Sequence, residues 1–432
     1  MTTLEKDEPT PSITGSAKRV LGRLGPGLVT GASDDDPSGI GTYSQAGAQL
    51  GFTIGWMMLL TYPLMAAIQE ISARIGRTTG HGIAGNLCRH YPNWLLQFVV
   101  ALLFIANTIN IGADLCAMAD AAELLVGGPS ILYAPGFATI CVLGIVFMRY
   151  DRYERLLKWL TLSLFSYVAV LFAVHVPWDE ALTGVLIPHI TWSNGLFTTL
   201  LAILGTTISP YLFFWQASQE VEDVHANHQR KPLLRAPSQA VDAFSRIRAD
   251  TLTGMAISNI IALAIIFATA ETLNKAGITN IETSTQAAEA LRPLAGNFAF
   301  AIFALGILGT GLLAVPILAG SAAYAIGEAW RWPVGLSRQP KKAIAFYSTL
   351  AASSGLGVAI TWSPIDPIKA LYWTAVINGV IAVPVMTVMM LMSAQSKVMG
   401  KFIIKGWLRW LGWASTLTMG TCLVGMVFGW FV

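Results

Sequence analysis

The sequence predicts an all-α membrane protein. Eleven transmembrane helices are expected, as two inverted five-helix repeats and one extra helix, with the first and sixth helices unwound in mid-membrane. Three observations predict this. Of the 432 residues, 54% are hydrophobic and only 12% charged, where soluble domains carry about 25% charged residues. Mean hydropathy is +0.59. Eleven apolar stretches approach the length of about 20 residues that crosses a bilayer. Two of them, the first and sixth, are interrupted by proline beside polar residues, at matching places in the two halves.

The spans cover residues 24–50, 53–75, 94–125, 131–148, 156–176, 196–219, 252–270, 298–326, 343–362, 368–392 and 411–432. They divide the chain into a first repeat (20–176), a second, inverted repeat (193–392) and an eleventh helix (409–432). Residues 1–19 are polar, contain Pro9 and Pro11, and lack the basic–apolar–small triplet of a cleaved signal, so a disordered cytoplasmic tail is expected. Lys and Arg set the orientation. With the N-terminus inside, every basic residue except Lys275, Arg292 and Lys369 of the 27 falls on the cytoplasmic side. The C-terminus is then outside, and a plasma (inner) membrane location is expected. A wrong helix count would scramble this asymmetry.

The break in the first span reads Ser33-Asp34-Asp35-Asp36-Pro37-Ser38-Gly39. One Asp at a helix centre costs roughly 2.5–3.5 kcal/mol on insertion scales, so three in a row need a purpose. Pro37 has no backbone donor and frees a carbonyl one turn earlier. Freed carbonyls and acid at the bilayer midplane suit a cation, and irregular backbone is tolerated there where it lines a cavity. The competing reading is a short cytosolic loop between separate helices. The sixth span breaks at Gly205-Thr206-Thr207-Ile208-Ser209-Pro210-Tyr211. A single proline in mid-helix is usually a kink. Interrupted segments at corresponding places in two halves point to a transporter's binding site.

Other features carry less. Cys88, Cys116, Cys141 and Cys422 form no CxxC pair and are read as packing residues. Glu70 and Arg74, four apart on a helix, are expected to pair. Asp120 and Glu123 are read as a solvated vestibule edge, and His225 with His228 as a solvated loop rather than a metal site. The charge run from Arg149 to Lys158 is read as an orientation anchor. Trp94, Trp178, Trp192, Trp362 and Trp430 lie at span ends, as in aromatic belts. Asn378, near Pro384 in the tenth span, either reaches the break or makes a helix–helix contact. No phosphate-cradling loop, nucleophile triad or nucleic-acid motif is visible. The chain is therefore expected to be no enzyme and to need no cofactor. Its expected partners are the lipid bilayer and a divalent cation substrate, not nucleic acid; a monomer is plausible.

Nearly the whole chain resembles the natural resistance-associated macrophage protein (Nramp) family of divalent-metal transporters, with a leucine-transporter-like fold. The resemblance rests on Gly25-Pro26-Gly27, Gln45-Ala46-Gly47-Ala48, Gln69 through Arg74-Ile75-Gly76 with Thr79-Gly80, Asp114-Leu115, Asp250 and Asn259. The site motifs depart from the family pattern. Its Asp-Pro-Gly-Asn is here Asp36-Pro37-Ser38-Gly39, which keeps the metal-binding Asp and puts Gly39 at the Asn ligand position. Its Met-Pro-His is here Ser209-Pro210-Tyr211, so the thioether becomes Ser209. The carbonyl ligand three residues earlier falls at Thr206.

The resemblance implies alternating access about a central site, with Asp36 as the charged ligand. The carbonyls near Ser33 and Thr206, the Ser209 hydroxyl, the space at Gly39 and Asn378 complete the expected metal site. Without the thioether the donors are all oxygen, which suits Mg²⁺, Ca²⁺ and Mn²⁺, and small side chains leave room for the waters Mg²⁺ keeps. Mg²⁺ is expected first and Mn²⁺ second, as in the Nramp-related magnesium transporters. Asp34 and Asp35 are expected to set the local field or take other partners. Family members co-transport protons. Asp114 is kept here, but Ala117, Tyr211 and Gln216 replace titratable groups, so weak or absent proton coupling is expected. The alternatives are a proton-coupled Mn²⁺/Fe²⁺ symporter and an amino-acid permease of the same fold.

Overall fold

The computed structural model describes residues 26–148, 152, 156, 165–172, 176–188, 195–227, 229–281, 286–287, 299–363 and 366–429. Among the described residues every regular element is helical.

The first span is two helices, α1 (Pro26–Asp34) and α2 (Pro37–Leu50). Pro37 explains the break: it has no N–H to continue α1, and its fixed φ suits the first position of a new helix. The chain turns by 112° between Pro37–Ile54 and α3 (Trp56–Thr79). Gly80, at φ 73°, ends α3 with a left-handed cap. A short helix not foreseen from sequence, α4 (Ile83–His90), follows. Its free N-terminal amides are taken by Glu328, which accepts from Gly82 at 2.8 Å and Gly85 at 2.9 Å.

The third and fourth spans are α5 (Asn93–Val126) and α6 (Ser130–Phe147). Most of the fifth falls outside the described residues, which include α7 (Phe165–Leu171). A second unforeseen short helix, α8 (Trp178–Leu186), precedes the sixth span. That span breaks as expected into α9 (Leu196–Thr207) and α10 (Pro210–Ala226). The remaining spans are α11 (Ala240–Thr269), α12 (Ala299–Ala329), α13 (Ile344–Ile360), α14 (Pro367–Ser393) and α15 (Gly406–Gly429). Among the described residues seven helical stretches are long and apolar enough to span on those criteria alone. At 17 residues, α13 falls just short. The helix α11 begins twelve positions before the apolar stretch that marks it in sequence, because its first three turns are polar and carry Arg246 and Asp250.

Glycine contacts fix how the helices run. Gly27 meets Asp250, Gly31 meets Gly254 and Asp34 meets Ser258, so α1 and α11 lie side by side in the same direction. Gly76 against Ala217 and Ser72 against Phe213 align α3 with α10 likewise. Asn107 against Leu318 and Met118 against Gly311 make α5 and α12 antiparallel. All three directions are those that eleven successive crossings require. A Cβ on Gly31 would lie 2.3 Å from the Gly254 carbonyl. Only glycine lets these backbones meet, as small residues do between membrane helices. Of the seven stretches, the broken sixth span is the most enclosed, with 89% of its apolar window buried, against 22% for α6 and 33% for α15. The two breaks therefore meet at the centre of the bundle, and α6 and α15 lie at its edge.

Candidate metal site

Asp36 occupies the gap between α1 and α2 in extended backbone, at φ −65° and ψ 172°, and caps α2. Its Oδ1 accepts from the Gly39 amide at 2.7 Å and the Ser38 hydroxyl at 2.6 Å. Its Oδ2 accepts from Asn110 Nδ2 on α5 at 3.0 Å and from the Tyr211 hydroxyl on α10 at 3.4 Å. The positive end of α2 also faces this carboxylate. A buried anion is thus held by neutral donors on three elements.

The second break supplies the opposite wall. Ile208 leaves the helical region at φ −124°, ψ 56°, and Pro210 restarts the helix. The Ser209 hydroxyl donates to the Gly205 carbonyl at 2.6 Å and the Thr206 carbonyl at 2.9 Å. It thereby satisfies groups the break exposes, as hydroxyls do in membrane helices. The Tyr211 hydroxyl donates to the Ser33 carbonyl at 2.6 Å and so ties the two breaks together. Gly39 lies between them. A Cβ there would sit 3.1 Å from the Asp34 carbonyl oxygen and 3.2 Å from Thr206 Oγ1. A larger residue would have to displace one break from the other.

The three carboxylates do not converge. Asp34 and Asp35 turn toward α11, where Ser258 donates to Asp34 Oδ2 at 2.6 Å and reaches Asp35 Oδ1 at 3.3 Å. Adjacent helical residues point in different directions, so Asp36 alone faces the second break. Among the described residues no group of three or more His, Cys, Asp or Glu side chains is placed to hold a metal. The groups bonded to Asp36 are two hydroxyls and two amide N–H groups, all neutral.

The structure thus brings Asp36, Ser33, Gly39, Thr206, Ser209 and Tyr211 together. Asp114, one turn beyond Asn110 on α5, lies near Asp36 and the Ser38 amide. Asn378 is buried on the face of α14 whose Leu371, two turns earlier, packs on Gly41, which directs it toward the break. Gln216 is set apart: its Oε1 accepts from Thr30 at 2.5 Å, linking α10 to α1 below the break. Gly39 is buried and each of the other residues is at most 2% exposed, so the site is closed to solvent. Glu70 and Arg74 pair as expected, at 2.5 Å. His228, Trp192 and Trp430 lie outside the described residues.

Sequence reasoning does not single out Asn110 or Ser258. Asn110 had a signal: Asn107, Asn110 and Asp114 form a polar stripe of helical period on an otherwise apolar span. A lone serine such as Ser258 carries none.

The fold defines a multi-pass membrane protein in which two broken helices meet at a buried carboxylate. Residues 27–429 match the family described as Natural resistance-associated macrophage protein-like. The chain belongs to the Nramp family, and its fold is the leucine-transporter-like one, with two inverted five-helix repeats. It is 26% identical over 436 residues to a protein of Klebsiella pneumoniae named divalent metal cation transporter MntH, covering 97% of this chain and 98% of that one. A Yersinia pestis protein of the same name is 26% identical over 302 residues, 68% of this chain and 69% of that one. Among solved structures, the Eremococcus coleocola manganese transporter matches with a TM-score of 0.73 at 15% identity, covering 97% of this chain and 89% of that one. A nucleobase–cation symport-1 family transporter in a closed conformation matches with a TM-score of 0.55 at 13% identity, over 94% and 90%.

Proposed function

We propose that this protein is a secondary transporter of divalent metal cations, with Mg²⁺ favoured and Mn²⁺ second. The observation that carries the reading is Asp36, a buried carboxylate at the meeting point of two helix breaks, held by neutral hydroxyl and amide donors. A carboxylate with backbone carbonyls and hydroxyls beside it, and no thioether, suits a hard cation that keeps part of its water. Relatives along the whole chain bear the name divalent metal cation transporter. Asp36 supplies charge; the Ser33 and Thr206 carbonyls and the Ser209 hydroxyl supply further oxygen, some through water.

The cycle is alternating access, in which the halves rock about the fixed site and open it to one side at a time. The N-terminus is cytoplasmic and the C-terminus outside, as the basic loops indicate. Proton coupling is weak or absent, because Tyr211 and Gln216 stand where titratable groups would relay protons. An amino-acid permease is disfavoured, since its substrate carboxylate would meet Asp36. The test is competitive uptake into proteoliposomes with Mg²⁺, Mn²⁺, Ca²⁺ and Cd²⁺ at two pH values. Mg²⁺ uptake that resists Cd²⁺ supports the reading; no uptake of any divalent ion overturns it.

A further inference from the structure

We infer that Asn110 is itself a cation ligand, its side-chain amide turning over when the ion arrives. The inference rests on the reading of Asp36 as the charged ligand and adds a group from a third element, the unbroken helix α5.

Asn110 is wholly buried. Its Nδ2 donates to Asp36 Oδ2 at 3.0 Å, and its own Oδ1 has no hydrogen-bond partner. A buried amide oxygen without a partner is costly, and each such group calls for an explanation. Here the explanation lies in the two states of Asp36. With no cation present, the amide N–H₂ faces the carboxylate and its charge is partly satisfied. With a cation on Oδ2, an N–H₂ facing the metal would be repelled. Half a turn about the last side-chain torsion, which is broad and roughly two-fold, exchanges the nitrogen for the oxygen at nearly the same point. That point is 3.0 Å from Asp36 Oδ2. An octahedral Mg²⁺ holds oxygens at about 2.0–2.1 Å, which sets neighbouring ligands about 2.9 Å apart. The existing spacing is close to that edge, so the exchange needs little movement of either side chain.

Asn110 also answers a steric question in the first break. Gly39 leaves no side-chain ligand there, and the Asp34 carbonyl and Thr206 crowd its Cβ position. An amide oxygen enters from α5 instead, without wedging the two breaks apart. The unbroken helix thereby takes a share of the ion, and the rotation couples loading to the contact between α5 and α2.

The test is isothermal titration of the purified full chain with Mg²⁺, beside thermal melts with and without the ion. Asn110→Ala is expected to weaken Mg²⁺ binding by about tenfold, the effect of roughly 1.4 kcal/mol. Asn110→Asp, nearly the same shape, is expected to melt lower without metal, because it adds a buried charge, and to gain a larger Mg²⁺-induced rise in melting temperature than the parent. A purely structural asparagine would lower the melt in both conditions alike. Mg²⁺ affinity unchanged in Asn110→Ala overturns the inference, as does an Asn110→Asp variant whose Mg²⁺-induced rise is no larger. The parent protein and Asp36→Asn are titrated alongside. A parent that binds no divalent ion refutes the transport reading itself, whereas a parent that binds while both Asn110 variants match it refutes only the role of Asn110.

Discussion

The Tyr211 hydroxyl donates to the Ser33 carbonyl across 2.6 Å, joining residues 178 positions apart at the two helix breaks. The same hydroxyl reaches Asp36 Oδ2 at 3.4 Å. One side chain thus satisfies a carbonyl that Pro37 leaves without its helical partner and fixes the carboxylate beside it. Tyr211→Phe keeps the ring and removes the bond. An orphaned buried carbonyl costs about 1–3 kcal/mol, so the metal-free melting temperature is expected to fall. A melting temperature equal to the parent's would show that this bond adds nothing.

Asp36 has two tasks, and two substitutions separate them. As the cap of α2 it accepts from the Gly39 amide, a role asparagine fills about as well and alanine loses at about 0.5–2 kcal/mol. Asp36→Asn should therefore keep the cap while losing the acceptor for Asn110 and Tyr211, and bind Mg²⁺ at least about tenfold more weakly, the equivalent of roughly 1.4 kcal/mol. Asp36→Ala should lose both uptake and some stability. Calorimetric titration and melting of the pair would show it; near-parent Mg²⁺ affinity in Asp36→Asn contradicts the assignment.

Ser209→Met places a soft thioether at the second break. Softer ions gain from it, so Mn²⁺ and Cd²⁺ should compete with Mg²⁺ more strongly in proteoliposome uptake. The substitution also removes the donor to the Gly205 and Thr206 carbonyls, so a loss of about 1 kcal/mol in stability is expected beside it. An unaltered order of ions would count against soft-ligand exclusion as the source of selectivity.

Uptake should proceed without matching acidification. A pH dye trapped in the proteoliposomes reports proton entry during Mg²⁺ uptake. Stoichiometric acidification that follows the metal would refute weak coupling and assign a proton path to groups other than histidine.

His81, half-buried in the turn after α3, gives a pH dependence. Burial, then Arg89 and Arg235, push its imidazole down from 6.5 to about 4. The unfolded chain takes up its proton first as the pH falls, so stability is full above about 6.5 and is lost on the way down toward 4. Melting temperatures at pH 7.5 and pH 5 should drop less in His81→Gln than in the parent. Equal drops would place the acid sensitivity elsewhere.

Much of the site was legible because proline and aspartate are costly at membrane depth. Asp36-Pro37 and Ser209-Pro210 mark the breaks without any knowledge of packing, and both breaks lie where they were expected. The separate direction of Asp34 and Asp35 was legible only as geometry in principle; that both share Ser258 required the neighbouring α11. The short helices α4 and α8 escaped notice because eight or nine residues are too few to be stable as a helix without tertiary contacts. Their order comes from contacts such as Glu328 with the Gly82 and Gly85 amides, more than 240 positions away.

By itself the sequence determined that the chain crosses a membrane many times, where two crossings break, and which carboxylate stands at the first break. These follow from local terms: apolar length, the missing proline N–H and the cost of a buried charge. Only the tertiary structure decided what surrounds Asp36. Asn110, Tyr211 and Thr206 come from distant segments, and Gly39 lets them approach because it has no side chain there. A hydrogen bond reaches about 3 Å, and no local pattern specifies which remote oxygen or amide will lie within that distance.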